Sequence, residues 1–90
     1  MWYEWDETKR QWTIQHRGID FKGAASFNWE TAWVMEDDRK EYGEGRFVAI
    51  GYIDKRLYVM AFTMRGETIR IISLRKANNR EREAYERRLD

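Results

Sequence analysis

The sequence lacks both cysteine and proline. Without cysteine there is no disulfide, thiolate metal site, iron–sulfur cluster or cysteine nucleophile. A domain free of disulfides suits a reducing compartment, and the absence of proline argues against stiff linkers. The length of 90 residues is enough for one domain and too little for two. We therefore expect a cytoplasmic protein that folds as a single domain over residues 1–90.

Other classes of protein are excluded by what is scarce. His16 is the single histidine, which leaves no histidine metal cluster, and no glycine-rich phosphate loop or Gly-x-Ser-x-Gly motif is present. No apolar run approaches the roughly 20 residues that span a bilayer. Only Glu36-Asp37-Asp38 offers clustered hard ligands, and acids at a strand end are usually solvated. We predict no cofactor, no metal and no membrane association.

Aromatic and charged residues are abundant. Five Trp, five Tyr and four Phe supply large apolar side chains for a small core, while 37% of residues are charged. This composition is typical of a compact core under a charged surface and not of a disordered chain. The net charge of +1 identifies no partner by itself, so the distribution of charge has to be considered.

The first part of the chain predicts a strand and two helices. Residues 2–5 alternate as a short edge strand, with Tyr3 and Trp5 on one face. Asp6 is a good N-cap for a helix that Gly18 ends. Asp20 then caps a second short helix, in which one face carries a set of small and apolar residues: Phe21, Ala24, Ala25 and Asn28, with Phe27 beside it.

From residue 31 the hydrophobic period changes to two. Strands are expected over residues 31–38, 46–53, 56–64 and 67–75, with tight turns at Asp54-Lys55 and Arg65-Gly66. The strand 56–64 is apolar on both faces, which favours a central position. Asn78-Asn79-Arg80-Glu81 has the form of a capping box that opens a helix to about Arg88.

These elements predict an α+β fold with a single, mainly antiparallel sheet. The sheet consists of a meander of about four strands plus the short N-terminal strand. Two helices precede the meander and one follows it.

Charge is separated along the chain. Residues 30–44 contain six acidic and two basic residues, a local charge of −4, and residues 65–80 contain five basic residues and one acidic residue, a local charge of +4. We call residues 30–44 the acidic segment. Four of the five cations in residues 65–80 are arginines, whose planar forks match phosphate geometry. This composition favours an anion or RNA site.

Strand alternation in residues 69–75 places Ile69, Ile71, Ser73 and Arg75 on one face and Arg70, Ile72 and Leu74 on the other. An arginine inside an apolar run is unusual. Two interpretations of Arg70 remain open: a structural ion pair with Glu44 or Glu67, or an anion site at the end of the sheet.

Five blocks of sequence resemble the BrnT-type toxins of bacterial type II toxin–antitoxin modules over essentially the full chain. The blocks are Tyr-Glu-Trp-Asp-Glu-x-Lys at 3–9, Gly-Ile-Asp-Phe at 18–21, Gly-Glu-Gly-Arg-Phe-x-x-x-Gly at 43–51, Arg-Ile-Ile-Ser-x-Arg at 70–75 and Ala-Asn-x-x-Glu-Arg-x-x-Tyr at 77–85. The Arg-Ile-Ile-Ser-x-Arg block with the following Glu-Arg-x-x-Tyr is fairly specific. Where the family usually has Asn-x-x-Lys-His-Gly, this chain has Thr13, then His16-Arg17-Gly18.

The resemblance implies a RelE-like ribonuclease fold, growth-arresting RNA cleavage and neutralisation by a DNA-binding antitoxin of ribbon-helix-helix type, with higher-order toxin–antitoxin complexes. Cleavage by the RNA 2′-OH needs a proton acceptor and cations that stabilise the phosphorane. His16 is the titrating candidate, and Ser73 could orient an oxygen. The candidate phosphate ligands are arginines: Arg17, Arg46, Arg70 and Arg75. Such a mechanism needs no metal.

Two alternatives to a ribonuclease toxin stay open. The basic face could bind nucleic acid or only the antitoxin without catalysis, or its arginines could be paired internally while other surfaces make protein contacts. Trp29 and Trp33 border the acidic segment, and Tyr85 and Leu89 give the last helix a thin apolar stripe. We therefore expect a protein partner at the acidic segment, at the last helix, or at both.

Overall fold

The structure, a computed structural model, describes residues 1–38 and 43–88. It is an α+β fold with one five-stranded sheet. The strands are β1 (Trp2–Trp5), β2 (Trp33–Glu36), β3 (Arg46–Ile53), β4 (Arg56–Arg65) and β5 (Thr68–Lys76). The helices are α1 (Glu7–Arg17), a 3₁₀ helix (Phe21–Ser26) and α2 (Asn79–Arg87).

The predicted caps of α1 and α2 are confirmed. The Asp6 carboxylate accepts the backbone N–H groups of Thr8 and Lys9, which would otherwise lack partners in the first turn. Gly18 ends α1 with a φ of 66°, in the left-handed region that glycine tolerates. At α2 both bonds of the capping box are present, one in each direction between Asn78 and Glu81.

The second helix is a 3₁₀ helix and not the α-helix that the sequence suggested. Phe21, Ala24 and Phe27 recur every third residue, which is the period of a 3₁₀ helix, and all three are buried. Ala25 and Asn28, expected on the same face, are exposed. The tighter helix therefore brings both phenylalanine rings into the core.

The sheet order is β1-β5-β4-β3-β2, with β4 in the centre as predicted. The meander from β2 to β5 is antiparallel throughout, but β1 pairs in parallel with β5, so the sheet is mixed. Alternation within residues 2–5 identified a strand and could not show which edge it joins. β2 is also shorter than the predicted 31–38.

One of the two predicted tight turns is displaced by one residue. Asp54-Lys55 connects β3 and β4 as expected, with Asp54 at a φ of 55°. The next turn consists of Gly66 and Glu67, because Arg65 still pairs with Thr68. Gly66, at a φ of 61°, takes the left-handed conformation that the first position of such a hairpin turn requires.

The sheet separates two apolar clusters. On one face the 3₁₀ helix packs over the larger cluster, whose buried members include Phe21, Met60, Phe62, Ile71 and Leu74. On the other face α2 contributes Tyr85 to a smaller cluster with Ile50, Leu57, Val59 and Ala77. Within the described residues, no helix is long and apolar enough to cross a membrane.

Candidate nucleic-acid interface

A β-bulge in β5 determines which side chains share a face of the sheet. Phe62 of β4 pairs with Ile71, while the adjacent Ala61 pairs with Ser73, so Ile72 is the extra residue. The predicted alternation is therefore wrong beyond Ile71. Leu74 joins Ile69 and Ile71 in the larger cluster.

The bulge leaves three of the predicted site residues on one face. Residues that pair directly across antiparallel strands point to the same side. Arg70, Ser73 and Arg75 pair with Thr63, Ala61 and Val59, which alternate along one face of β4. This is the face on which α2 packs, and we call it the α2 face.

A polar row crosses the α2 face beyond the apolar cluster under α2. Arg46 of β3, Thr63 of β4, Arg70 of β5 and Glu4 of β1 pair successively across the sheet. Thr63 is buried, and its hydroxyl donates to the carbonyl oxygen of Gly45. The row thus places Arg46 and Arg70 on either side of a fixed threonine.

A groove of about 210 Å³ separates α1 from β5 and contains two more of the predicted residues. Arg17 and Ser73 both line it, and Ile72 contributes because of the bulge. The remaining lining residues come from α1: Lys9, Trp12 and Thr13. Among the residues that the structure describes, two cations and no carboxylate line this groove, which suits an anion.

Aromatic and basic side chains are stacked on α1 beside the groove. The rings of Trp12 and His16 are nearly parallel, 16° apart in plane, with centroids 4.3 Å apart. The Arg17 guanidinium lies 5.4 Å from the Trp12 centroid. Trp12 is nevertheless 48% exposed. An exposed aromatic ring next to cations is a common platform for unpaired bases.

The tautomer of His16 follows from its helix contact. Its Nδ1 lies 2.9 Å from the carbonyl oxygen of Trp12, which can only accept a hydrogen bond. Nδ1 therefore carries a proton, and in the neutral ring Nε2 is left as an acceptor. His16 is exposed at the end of α1, so Nε2 is available for proton transfer.

Arg75 is anchored internally. Its guanidinium donates to both carboxylate oxygens of Glu81, over 2.8 and 2.7 Å. This contact raises the pKa of Arg75 and lowers that of Glu81. Since Glu81 is also part of the capping box, Arg75 ties β5 to the start of α2.

Sequence reasoning missed Glu4 and Arg65. The pairing of Glu4 with Arg70 brings its carboxylate to Arg65 Nε and to an Arg70 terminal nitrogen, 3.8 and 3.9 Å away. Arg70 thus meets neither of its predicted partners, Glu44 or Glu67, in an ion pair; Glu44 lies 3.7 Å from Arg65 instead. For Glu4, the signal in the sequence was strand alternation, which puts its side chain on the other face of the strand from Tyr3.

The structure also describes α2 and part of the acidic segment. Among residues 1–38 and 43–88, no group of three or more His, Asp or Glu side chains could hold a metal ion, including Glu36-Asp37-Asp38.

Tyr85 is buried and donates to the carbonyl oxygen of Thr31, so α2 is packed on its own domain. Leu89, and Arg39, Lys40 and Glu41 of the acidic segment, lie outside the described residues.

Comparison with known proteins gives a family match. The family described as "Ribonuclease toxin, BrnT, of type II toxin-antitoxin system" matches residues 5–81, which is most of the 90-residue chain. The matched range includes the six predicted site residues and begins one residue after Glu4. Among curated proteins, none matches the chain.

Proposed function

The chain belongs to the BrnT family of ribonuclease toxins of type II toxin–antitoxin systems, and from this premise we propose that it is itself an active endoribonuclease. It cleaves RNA through attack by the 2′-OH and arrests growth until a DNA-binding antitoxin of ribbon-helix-helix type binds it in a toxin–antitoxin complex. Its five-stranded α+β architecture is then a RelE-like fold.

The main support for this proposal is the bulge at Ile72. It places Ser73 both on the face of the sheet that carries Arg70 and in the groove that Arg17 lines. Arg70 and Ser73 are three positions apart on β5, about 10 Å at the usual rise of a strand. An RNA strand can contact both regions at once.

Each part of this surface supports a step of RNA cleavage. Arg46 and Arg70 stabilise negative charge as the phosphorane forms, and Arg17 holds a neighbouring phosphate in the groove. Trp12 stacks on an unpaired base. His16 offers an imidazole for proton transfer, and the Ser73 hydroxyl orients an oxygen. Arginines supply the positive charge, so the reaction we propose is metal-independent.

Because Arg75 is paired internally, we propose a site with fewer residues than the sequence suggested. The Arg75 fork is held by Glu81, so we assign Arg75 to anchoring α2. The same observation lends weight to the alternative in which the arginines are paired internally and other surfaces make protein contacts. Loss of neither RNA binding nor cleavage when the arginines are replaced, or no RNA binding by the wild type, identifies that alternative.

A cleavage assay with purified protein tests the proposal. We expect cutting of single-stranded RNA in excess EDTA, loss of cutting when a 2′-methoxy sugar precedes the scissile phosphate, and weaker binding as salt rises. Double substitution Arg46→Ala with Arg70→Ala should slow cleavage by at least about 100-fold if both contact the reacting phosphate. A matched control is Arg80→Ala, an exposed position on α2. Cutting that requires magnesium, or equal cutting of DNA, contradicts the mechanism.

A further inference from the structure

The Glu4 carboxylate lies between two arginines on the α2 face. One oxygen, Oε1, is 3.8 Å from Arg65 Nε and 3.9 Å from Nη1 of Arg70. Arg65 and Thr68 are paired at the hairpin end of this face, one step along β4 from the polar row. The side chains of Arg65, Glu4 and Arg70 are 53%, 40% and 29% exposed, so solvent and substrate can reach all three.

The distances from the Glu4 carboxylate to its arginines are longer than those of Glu81 and Asp20, two carboxylates with structural roles. Glu81 and Asp20 accept short hydrogen bonds from arginine forks on both oxygens, over 2.7 to 3.0 Å. The contacts of Glu4 are too long to be hydrogen bonds. In the part of the chain that the structure describes, its carboxylate accepts no hydrogen bond and keeps its lone pairs for an incoming donor.

We propose that Glu4 accepts the proton of the attacking 2′-OH, while Arg65 and Arg70 bind the scissile phosphate. This inference rests on the proposed ribonuclease function and gives Glu4 the role for which the sequence suggested His16. As the O2′–H bond breaks, the proton passes to the carboxylate and O2′ bonds to phosphorus. The P–O5′ bond then breaks, O5′ takes a proton from water, and a 2′,3′-cyclic phosphate remains.

The chemistry of the cluster fits this step. Arginine forks on both sides of a carboxylate allow phosphate oxygens and a neighbouring hydroxyl to be bound together, with the hydroxyl directed at the base. A structural role explains the cluster less well. Ion pairs this long and this exposed contribute little to stability.

The substitution Glu4→Gln tests the assignment, because it preserves shape and removes the basic oxygen. We expect the single-turnover cleavage rate to fall by about 100-fold or more. Binding of an uncleavable 2′-methoxy RNA and the melting temperature should stay unchanged. Glu44→Gln is the matched control, since Glu44 also faces Arg65 but lies off the polar row. It should cleave at the wild-type rate.

The pH dependence provides a readout that a structural role would not change. The charged groups facing Glu4 are Arg65 and Arg70, and Glu44 faces Arg65 in turn. Replacing a general base changes the dependence of the rate on pH, so the pH–rate profiles of the wild type and the Gln variant should differ in shape.

The outcomes distinguish this inference from the function on which it rests. If the wild type cleaves RNA and Glu4→Gln is equally fast, Glu4 is not the base, and the ribonuclease function stands. A slow variant that also melts at lower temperature and binds uncleavable RNA poorly overturns the assignment in favour of a structural role. If the wild type binds RNA and does not cleave it, both proposals are wrong.

Discussion

Four arginine side chains of this protein show two kinds of contact with carboxylates. Arg10 and Arg75 make short, two-pronged contacts with Asp20 and Glu81, which is the geometry of a structural anchor. Arg65 and Arg70 approach carboxylates only to 3.7–3.9 Å. These long contacts leave the donors of Arg65 and Arg70 able to turn to a phosphate.

Loss of the Arg75 anchor should reduce stability more than activity. In Arg75→Ala, Glu81 keeps its capping bonds but loses both bonds to the fork. We expect a destabilisation of about 1 kcal/mol, since the pair is partly exposed, and a melting temperature lower by about 4–8 °C. Thermal unfolding and cleavage per folded molecule should be measured on the same sample. Full stability combined with lost cleavage would instead place Arg75 in the site.

Gly51 is required by the packing of Phe27 over β3. A Cβ atom at residue 51 would lie 2.6 Å from the Phe27 ring, which is closer than real atoms approach. Gly51→Ala should therefore cost about 1–3 kcal/mol of unfolding free energy, measured with denaturant. Gly23→Ala is the control, because within the described residues nothing outside its own helix lies within 4 Å of where a Cβ atom would stand, and it should be neutral or stabilising. Equal stability of the two variants would contradict this account.

At the scale of elements, Asp20 joins α1 to the 3₁₀ helix. Its carboxylate accepts the backbone N–H of Lys22 and both bonds from the Arg10 fork. The Arg10 guanidinium lowers the pKa of Asp20 to about 2. In the unfolded chain this carboxyl takes up its proton near pH 4. The contact therefore stabilises the fold above about pH 4, and this stabilisation is lost as the pH falls towards 2.

Asp20→Asn should reveal this stabilisation through its pH dependence. Asn can still accept the Lys22 N–H but cannot form the charged pair with Arg10. We expect the variant to be less stable than the wild type at pH 6, with the difference shrinking as the pH is lowered from about 4 to about 2. Denaturant unfolding across this range measures it. The exposed Glu67→Gln should show no such convergence, and a constant difference for Asp20→Asn would contradict the assignment.

The strand β5 shows how an element can be identified correctly while its faces are not. Its predicted span agrees with the structure to within one residue, because alternating apolar residues and the following capping box bound it. Ile72 is the same residue type as Ile71, so nothing in the sequence marks it as the bulged residue. Pairing with β4 decides that Ser73 and Arg75 share a face with Arg70.

At the scale of the whole molecule, the sheet keeps basic and acidic residues in different places. The polar row with Arg46 and Arg70 crosses the α2 face, whereas Glu36 is on the edge strand β2 and Asp38 follows it. Both acids are exposed. We propose that the antitoxin binds at Glu36 and Asp38, because a DNA-binding antitoxin carries basic residues that would complement these two acids.

Charge reversal at this edge should weaken antitoxin binding. We expect Glu36→Lys with Asp38→Lys to lower the affinity at least about tenfold, or 1.4 kcal/mol, at low salt and less at high salt. RNA binding and folding should be retained. Glu67→Lys, at an exposed position outside both the acidic segment and α2, is the control. Deletion of residues 79–90 is unsuitable because it removes Tyr85 from the core. Unchanged affinity would place the interface elsewhere.

The sequence by itself determined the family, the class of fold and most of the elements. Local signals carry this information: caps at Asp6, Gly18 and Asn78, a two-residue hairpin at Asp54-Lys55, and apolar residues on both faces of β4. These signals depend on neighbours within a few positions along the chain. They are therefore readable without knowledge of what each element packs against.

Only the tertiary structure decided how the candidate site is composed. The parallel pairing of β1 with β5 brings Glu4 to Arg70 across 66 positions of sequence, and the bulge turns Ser73 to the face of Arg70. Arg75, which the sequence made a candidate phosphate ligand as it did Arg70, is instead held by Glu81. Strand register and side-chain partners depend on contacts between distant segments, and local periodicity contains no information about them.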